Sequence, residues 1–159
     1  MAKHLLEFET PPNPEPDAAP HPLVLIAEDD KDIQRMAYHH ATNLGYGVIL
    51  ARNGIEAFEH AIRYRPELVL TDALMPGLDG RELCLRLKQN PATAATRVVV
   101  MTSLYTKDVD RREALSHFRA DDHLAKPIDA ELLTAVLKRY LGPPGRSIPK
   151  PDPSMGERA

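Results

Sequence analysis

The sequence is poor in the features that mark disulfide-bonded, membrane-spanning or nucleic-acid-binding proteins. Its 159 residues include one cysteine, Cys84, so an internal disulfide is excluded. The 20 basic and 23 acidic side chains give a net charge of −3, which provides no general attraction for nucleic acid or anionic lipid. No apolar run approaches the roughly 20 residues that span a bilayer. We therefore predict a cytoplasmic protein that binds neither nucleic acid nor membrane.

Proline is scarce in the middle of the chain and abundant at both ends. Six of the 15 prolines lie between Pro11 and Pro22, and five lie between Pro143 and Pro153. Because proline fixes φ and removes a backbone donor, both ends are expected to be extended and poorly ordered. The sequence thus predicts disordered tails at residues 1–22 and 142–159 around one folded domain at residues 23–141. The second tail is too short for a DNA-binding or catalytic output module.

Two hydrophobic periods alternate between the tails. Short apolar runs predict strands, and longer segments with an apolar stripe predict helices between them. The predicted strands are Leu23–Ala27, Gly47–Ala51, Leu68–Thr71, Val98–Met101 and His123–Ala125. The first helical stripe consists of Ile33, Met36, Ala37, His40 and Leu44. A polar fourth helix is expected at about residues 106–118. Five alternating pairs predict a parallel sheet with both faces covered.

Polar side chains follow four of the five predicted strands. They are Glu28, Asp29 and Asp30, then Asp72, then Thr102 and Ser103, and finally Lys126. Ligands of open parallel sheets bind beyond the carboxyl ends of the strands, so these side chains are expected to form one site. Neighbouring carboxylates repel one another unless a cation joins them, and hard oxygen ligands suit Mg²⁺. Asp29 and Asp72 are the first candidate ligands and Glu28 the next, whereas Asp30 is expected to cap a helix.

Lys126 is a candidate partner for phosphate. It stands at the end of the fifth strand, opposite the acids, where a compact positive charge can pair with an anion. The Lys126–Pro127 bond is a candidate for the cis form, since X-Pro bonds in sharp turns adopt it more readily than others.

Five motifs in this order resemble those of the receiver domains of two-component response regulators. They are Glu28-Asp29-Asp30, Ala51–Ala57, Asp72–Gly80, Val99–Ser103 and Ala120–Pro127. The resemblance covers about Leu23 to Leu141, and the full ordered set is far more specific than any one motif. It implies a flavodoxin-like, doubly wound (βα)5 sandwich with a parallel five-stranded sheet of order 2-1-3-4-5.

The resemblance also implies roles for the site residues. Asp72 would accept a phosphoryl group from a sensor histidine kinase or a histidine phosphotransfer protein. The groups implied to hold Mg²⁺, directly or through water, are Glu28, Asp29, Asp72 and the backbone carbonyl of Leu74. Thr102 and Lys126 would bind phosphoryl oxygens, and Thr102 with His123 would switch a surface made of the fourth helix, fifth strand and fifth helix. That surface would bind a downstream protein target or a second copy of the chain.

Three departures from the receiver pattern concern the fourth and fifth strands. Arg119 replaces a glycine, so a turn that needs positive φ would be strained or remodelled. His123 replaces a switching aromatic residue. It either turns inward on activation or is a solvated residue at the start of a strand. Thr102 and Lys126 are 126 − 102 = 24 positions apart, about two more than is usual for the family. Ser103 is therefore an alternative hydroxyl donor.

The predicted function is a signalling switch that takes on and loses its own phosphoryl group, and not a turnover enzyme. One alternative is a phosphorylation-independent adaptor with the receiver fold. Another is the receiver piece of a larger regulator, with a proline-rich end as linker. A hydrolase of the haloacid dehalogenase kind is disfavoured, because it needs a second acid two residues after the nucleophile, where Leu74 stands.

Overall fold

The computed structural model describes residues 10–102 and 119–143 and contains a five-stranded parallel sheet. The strands are β1 Leu23–Ala27, β2 Gly47–Ala51, β3 Leu68–Asp72, β4 Arg97–Thr102 and β5 Asp122–Ala125. The helices within the described residues are α1 Lys31–Asn43, α2 Gly54–Tyr64, α3 Gly80–Gln89 and α4 Ala130–Leu141, and a 3₁₀ turn spans Pro16–Ala18. The helix expected at about residues 106–118 lies outside the described residues, so α4 is the fifth helix of the sequence prediction. None of these helices has the length and apolar character required to cross a membrane.

The sheet has the order β2-β1-β3-β4-β5, which confirms the predicted topology. Each strand agrees with its predicted range to within one residue at either end. Continuous burial explains the agreement, since every residue of β1, β2 and β3 is buried, as expected for strands covered on both faces. The register aligns the carboxyl ends of the strands. Thr71 lies beside Ala27, Asp72 beside Met101, and Thr102 beside Ala125.

Two apolar layers cover the sheet. One includes Leu83, Cys84 and Leu87 of α3 together with Ala57 and Ala61 of α2, and the other includes Ala37 and Ala41 of α1 together with Leu133, Val136 and Leu137 of α4. Because each helix loses its apolar face to the sheet, the strand ends remain as the accessible edge where polar side chains gather.

The buried face of α1 differs from the predicted stripe. Gln34, Ala37 and Ala41 are its buried residues, whereas Ile33 and Met36 are only half-buried. The small alanines allow the helix to lie close to the sheet, and this rotates the larger apolar side chains to its flank. There Ile33 and Met36 line a cavity of about 390 Å³ together with Lys126, Pro127 and Ile128.

Residues 10–22, here named the N-terminal strap, pack against the domain. The Asn13 side chain accepts a hydrogen bond from the Leu50 backbone N–H and donates one to the Leu50 carbonyl, both at 3.0 Å. The Tyr64 hydroxyl donates to the Pro14 carbonyl, and Ala19 is 5% exposed. The expectation of a disordered tail therefore does not hold for residues 10–22. The edge strand β2 has outward-facing backbone groups that need partners, and Asn13 supplies them.

An ion-pair cluster ties β4, β5 and α3 together at the amino ends of the strands. The Asp121 carboxylate accepts hydrogen bonds from the Val98 backbone N–H at 2.7 Å, from Lys88 Nζ at 2.6 Å and from Arg97 at 3.2 Å. Partial burial raises the pKa of Asp121, but the hydrogen bonds from Lys88 and Val98 outweigh it and hold that pKa below its ordinary value. Asp121 therefore stays ionised and fixes the spacing of the two strands at this end.

Two arginines occupy the left-handed backbone region. Arg65, which caps the end of α2, has φ 49°, and Arg119 has φ 63°. The residue at the position where a glycine was expected from the resemblance thus has positive φ, so the arginine there is strained. An L-residue in this region costs about 1–2 kcal/mol.

Replacing either arginine by glycine is expected to stabilise the fold. Arg65→Gly and Arg119→Gly should each raise the free energy of unfolding in urea by about 1 kcal/mol, because glycine adopts positive φ without a Cβ clash. Glu59→Gly, at an exposed position inside α2, is the control and should lower it by about 1 kcal/mol. A loss of stability in both arginine variants would show that these turns carry no strain.

Candidate functional site

Three carboxylates meet at the carboxyl ends of β1 and β3. Glu28, Asp29 and Asp72 each offer an oxygen, and these oxygens all lie within 4.8 Å of one another. Glu28 is 1% exposed and Asp72 is 8% exposed, whereas Asp29 faces solvent. The meeting of acids from two separate strands was predicted from their position after each strand, and the geometry agrees with it.

Lys126 lies between two of these acids. Its Nζ is 3.1 Å from Asp72 Oδ1 and 3.4 Å from Glu28 Oε2. Burial lowers the pKa of Lys126, but the hydrogen bond to Asp72 and the charge of Glu28 outweigh that effect, so the pKa is raised above its ordinary value. The lysine therefore remains positively charged at the centre of the cluster. The Lys126–Pro127 peptide bond is cis, as the sequence suggested.

Glu28 is the most unusual acid of the cluster. Burial and the neighbouring charge of Asp72 raise its pKa to about 7, although the Asp30 backbone N–H and Lys126 favour the ionised form. Its Oε1 accepts a hydrogen bond from the Asp30 N–H at 3.0 Å, and its Oε2 pairs with Lys126. Because both oxygens already have protein partners, Glu28 suits a metal contact through water better than a direct one.

Asp30 has a different role from the three acids of the cluster. Its side chain accepts hydrogen bonds from the backbone N–H groups of Asp32 and Ile33 at the start of α1. This confirms its predicted role as a helix cap.

Thr102 and His123 are both buried on neighbouring strands. Thr102 ends β4 and is 2% exposed, and its carbonyl accepts a hydrogen bond from the Lys126 backbone N–H at 3.0 Å. His123 lies in β5 beside Val100 and is 4% exposed. The interpretation of His123 as a solvated residue is therefore wrong. Its side chain is buried, and nothing in the local sequence indicated this. Its role as a switch residue stays a prediction. The alternative donor Ser103 lies outside the described residues.

Two glycines shape the loop that follows Asp72. A Cβ atom on Gly80 would lie 1.9 Å from the Asp72 carbonyl oxygen, and one on Gly54 would lie 1.9 Å from the Leu78 carbonyl oxygen. Helices α2 and α3 therefore begin in direct contact with the loop, and the Gly80 N–H donates to the Ala73 carbonyl at 2.9 Å. Both positions need glycine because another segment of the chain packs against them, and the spacing of residues in the sequence does not reveal such contacts.

Leu74 lies in the same loop and is 52% exposed. An exposed apolar side chain two residues after Asp72 is consistent with an apolar cover beside the site. The implied contact of its backbone carbonyl with a metal ion stays a prediction.

Gln34 is a polar residue of the site region that the sequence interpretation missed. It is 2% exposed, and its Nε2 donates a hydrogen bond to the Glu28 backbone carbonyl at 3.2 Å. The only available signal was a polar residue four positions after Asp30 within an otherwise apolar helix face.

The donor set fits a hard divalent cation. Three carboxylates from two strands supply oxygen ligands, and the exposure of Asp29 leaves room for water, which Mg²⁺ retains when it binds to proteins. Chemically, the site offers a carboxylate oxygen on Asp72 as a nucleophile, with Lys126 beside it to neutralise an incoming anion.

Comparison with known proteins places these features in one family. The family model for the response regulator receiver domain matches residues 24–138. Phosphorylation and Mg²⁺ binding are typical of that family. The sheet order and the acidic cluster described above lie within the matched residues.

Individual relatives agree with this match. The chain is 32% identical over 120 residues to the DNA-binding dual master transcriptional regulator RpaA of Synechocystis, covering 76% of this chain and 49% of that protein. It is 31% identical to the sporulation initiation phosphotransferase F of Bacillus subtilis, covering 74% of this chain and 92% of that protein. It spans about half the length of the first curated relatives that it matches.

A solved structure gives the same result. The receiver domain of a sensor histidine kinase from Pseudomonas aeruginosa, with a magnesium ion coordinated in its active-site cleft, aligns with a TM-score of 0.68 at 27% identity. The alignment covers 79% of this chain and 99% of that domain. The chain belongs to the response regulator receiver domain family.

Proposed function

We propose that this chain is a phosphoacceptor switch in which Asp72 takes a phosphoryl group from the phosphohistidine of a sensor histidine kinase or a histidine phosphotransfer protein. The observation that carries the proposal is the position of Asp72. Its Oδ1 lies 3.1 Å from Lys126 Nζ, within a group of three acids at the open edge of the sheet. Phosphoryl transfer depends on positioning and on electrostatic stabilisation, and this arrangement places a nucleophile beside a cation.

Each residue of the site has a distinct task in the proposed transfer. An Asp72 carboxylate oxygen attacks phosphorus while the bond from phosphorus to the donor's imidazole nitrogen breaks. Lys126 pairs with one phosphoryl oxygen, and the hydroxyl of Thr102 donates to another. Glu28, Asp29, Asp72 and the Leu74 carbonyl are the proposed holders of Mg²⁺, which when bound supplies positive charge against the phosphoryl oxygens.

The proposed output is a protein-binding event at the surface that includes β5 and α4. A phosphorelay role is supported by the sequence similarity to the phosphotransferase of Bacillus subtilis, of which the chain covers 92%. RpaA is described as DNA-binding, and this chain matches only half of it, so that relative lends no support to the expected absence of nucleic-acid binding. That expectation depends on the net charge of the chain.

Removal of the Asp72 nucleophile should abolish phosphorylation. Incubation with acetyl phosphate and Mg²⁺ should add one phosphoryl group to the wild-type protein, detected by intact mass, and none to Asp72→Asn. Asp30→Asn is a matched control, because it changes a neighbouring acid outside the cluster and asparagine retains the helix cap. It should be phosphorylated like the wild type. Phosphorylation of Asp72→Asn at the wild-type rate would assign the acceptor to another residue.

Mg²⁺ affinity should depend on pH through Glu28. With a pKa of about 7, Glu28 is largely protonated at pH 6 and ionised at pH 8. Because an ionised acid attracts the metal, affinity should be about tenfold lower at pH 6. The stability of the metal-free protein should depend on pH in the opposite direction, being higher at low pH. The raised pKa contributes stability below about pH 4.5, and this contribution is lost as the pH rises through about 7.

The Glu28→Gln variant tests both parts, since it keeps the side-chain shape and has no proton to lose. Its Mg²⁺ affinity should vary less between pH 6 and pH 8 in calorimetric titration. Its free energy of unfolding in urea should no longer show the fall with rising pH that Glu28 causes in the wild type. Glu82→Gln, at an exposed site on α3, should retain both pH dependences. Equal pH dependence in wild type and Glu28→Gln would assign the titration to another group.

Leu74 is expected to prolong the phosphorylated state. An exposed apolar side chain next to Asp72 cannot orient an attacking water, whereas a carboxamide can. Leu74→Asn should therefore lose its phosphoryl group several-fold faster than the wild type after excess donor is removed. Leu132→Asn, at another exposed leucine on α4, should decay at the wild-type rate. Identical decay in all three proteins would show that Leu74 does not control water access.

A further inference from the structure

We propose that Gln34 is a positioning residue for the acidic turn, and that the N-terminal strap acts on the site through it. The proposal concerns how Glu28 and Asp29 are held, and it deepens the proposed phosphoacceptor function on which it rests. Both backbone groups of Glu28 have partners outside the turn. Its N–H donates to the Ala51 carbonyl of β2 at 3.1 Å, and its carbonyl accepts from Gln34 Nε2 at 3.2 Å.

The strap contacts both of these supports. The Thr10 hydroxyl donates to Gln34 Oε1 at 3.4 Å, which engages the second end of the buried amide. Asn13 forms two hydrogen bonds with Leu50, the residue that precedes Ala51 in β2. One short segment therefore restrains both partners of the Glu28 backbone, one from α1 and one from β2.

The nature of the residue at position 34 argues for positioning over packing. Gln34 is 2% exposed and lies on the helix face that otherwise buries Ala37 and Ala41. Burial of an amide is unfavourable unless its hydrogen bonds are made, and an apolar side chain would avoid that cost. The amide provides a directional hydrogen bond. This bond orients the Glu28 carbonyl and hence the peptide group between Glu28 and Asp29.

The consequence for the site is geometric. Asp29 and Glu28 are consecutive, and the oxygens of both lie within 4.8 Å of that of Asp72. If the Glu28 carbonyl is released, the turn gains freedom and the three acids spend less time within reach of one cation. Residues that orient metal ligands typically contribute about 10–100-fold to affinity or activity.

The first test replaces Gln34 by methionine, which has a similar volume and no amide. In the full chain, Gln34→Met should weaken Mg²⁺ binding about tenfold. At saturating Mg²⁺ the rate of phosphorylation by acetyl phosphate should remain within twofold of wild type, because Asp72 and Lys126 are unchanged. Gln89→Met, at an exposed position at the end of α3, is the control and should leave the affinity unchanged.

The strap is tested by Thr10→Val, which removes one hydroxyl and keeps the side-chain shape. It should weaken Mg²⁺ binding in the same direction by about two- to threefold, and it should add nothing in the Gln34→Met background. Such non-additivity is expected of residues that act along one chain of contacts. Additive effects would show that the strap does not act through Gln34.

A metal-free measurement separates this proposal from the proposed function. The Asp30 N–H donates to Glu28 Oε1, so it reports on the order of the turn. In EDTA its hydrogen exchange should be about tenfold faster in Gln34→Met, with the amides of α3 unchanged. Unchanged exchange together with wild-type Mg²⁺ affinity would overturn the positioning role. Failure of the wild-type protein to accept phosphate at Asp72 would instead overturn the proposed function, and the exchange result would still decide the role of Gln34.

Discussion

The contact of the Lys126 ammonium with the carboxylates of Asp72 and Glu28 is the constraint on which the site depends. Three acids with oxygens within 4.8 Å of one another repel strongly, and one of them is almost fully removed from water. A single cation lies 3.1 Å from Asp72 and 3.4 Å from Glu28, and it offsets the charge only in part, since burial and then the charge of Asp72 still raise the pKa of Glu28 to about 7. The cluster is therefore left short of positive charge, which is the electrostatic condition for attracting a divalent cation.

The sheet creates this condition through its order. β1 and β3 are neighbours, so the acids after them meet, while Lys126 follows β5, two strands away from β3. The long, flexible side chain of Lys126 bridges that gap, whereas the acids have shorter side chains. The Lys126 backbone is fixed by the Thr102 carbonyl, so the position of the ammonium depends on the pairing of β4 with β5. The charges of the site are thus connected to the packing of the strand that carries Thr102.

Much of this arrangement could be predicted from the sequence because it follows from local patterns. The buried strands appear as apolar runs, and Asp72 and Lys126 stand directly after two of them. Other features depend on contacts between distant segments and leave no local signal. Gly80 needs to lack a side chain because the Asp72 carbonyl lies against it. His123 is buried although it lies near the polar start of its strand, and proline-rich residues 10–22 are ordered because Asn13 meets an edge strand.

The Asp121 cluster at the opposite end of the sheet has a mechanical consequence. One carboxylate holds α3, β4 and β5 together through Lys88 and the Val98 N–H, at the amino ends of the two strands. Thr102 and Ala125 lie at their carboxyl ends, four residues along the chain from Val98 and from Asp121 respectively. The ion pairs of Asp121 hold β4 and β5 at the end opposite Asp72, and the hydrogen bond from the Lys126 N–H to the Thr102 carbonyl joins them at the other. The register that brings Lys126 to Asp72 is therefore held at both ends of this strand pair.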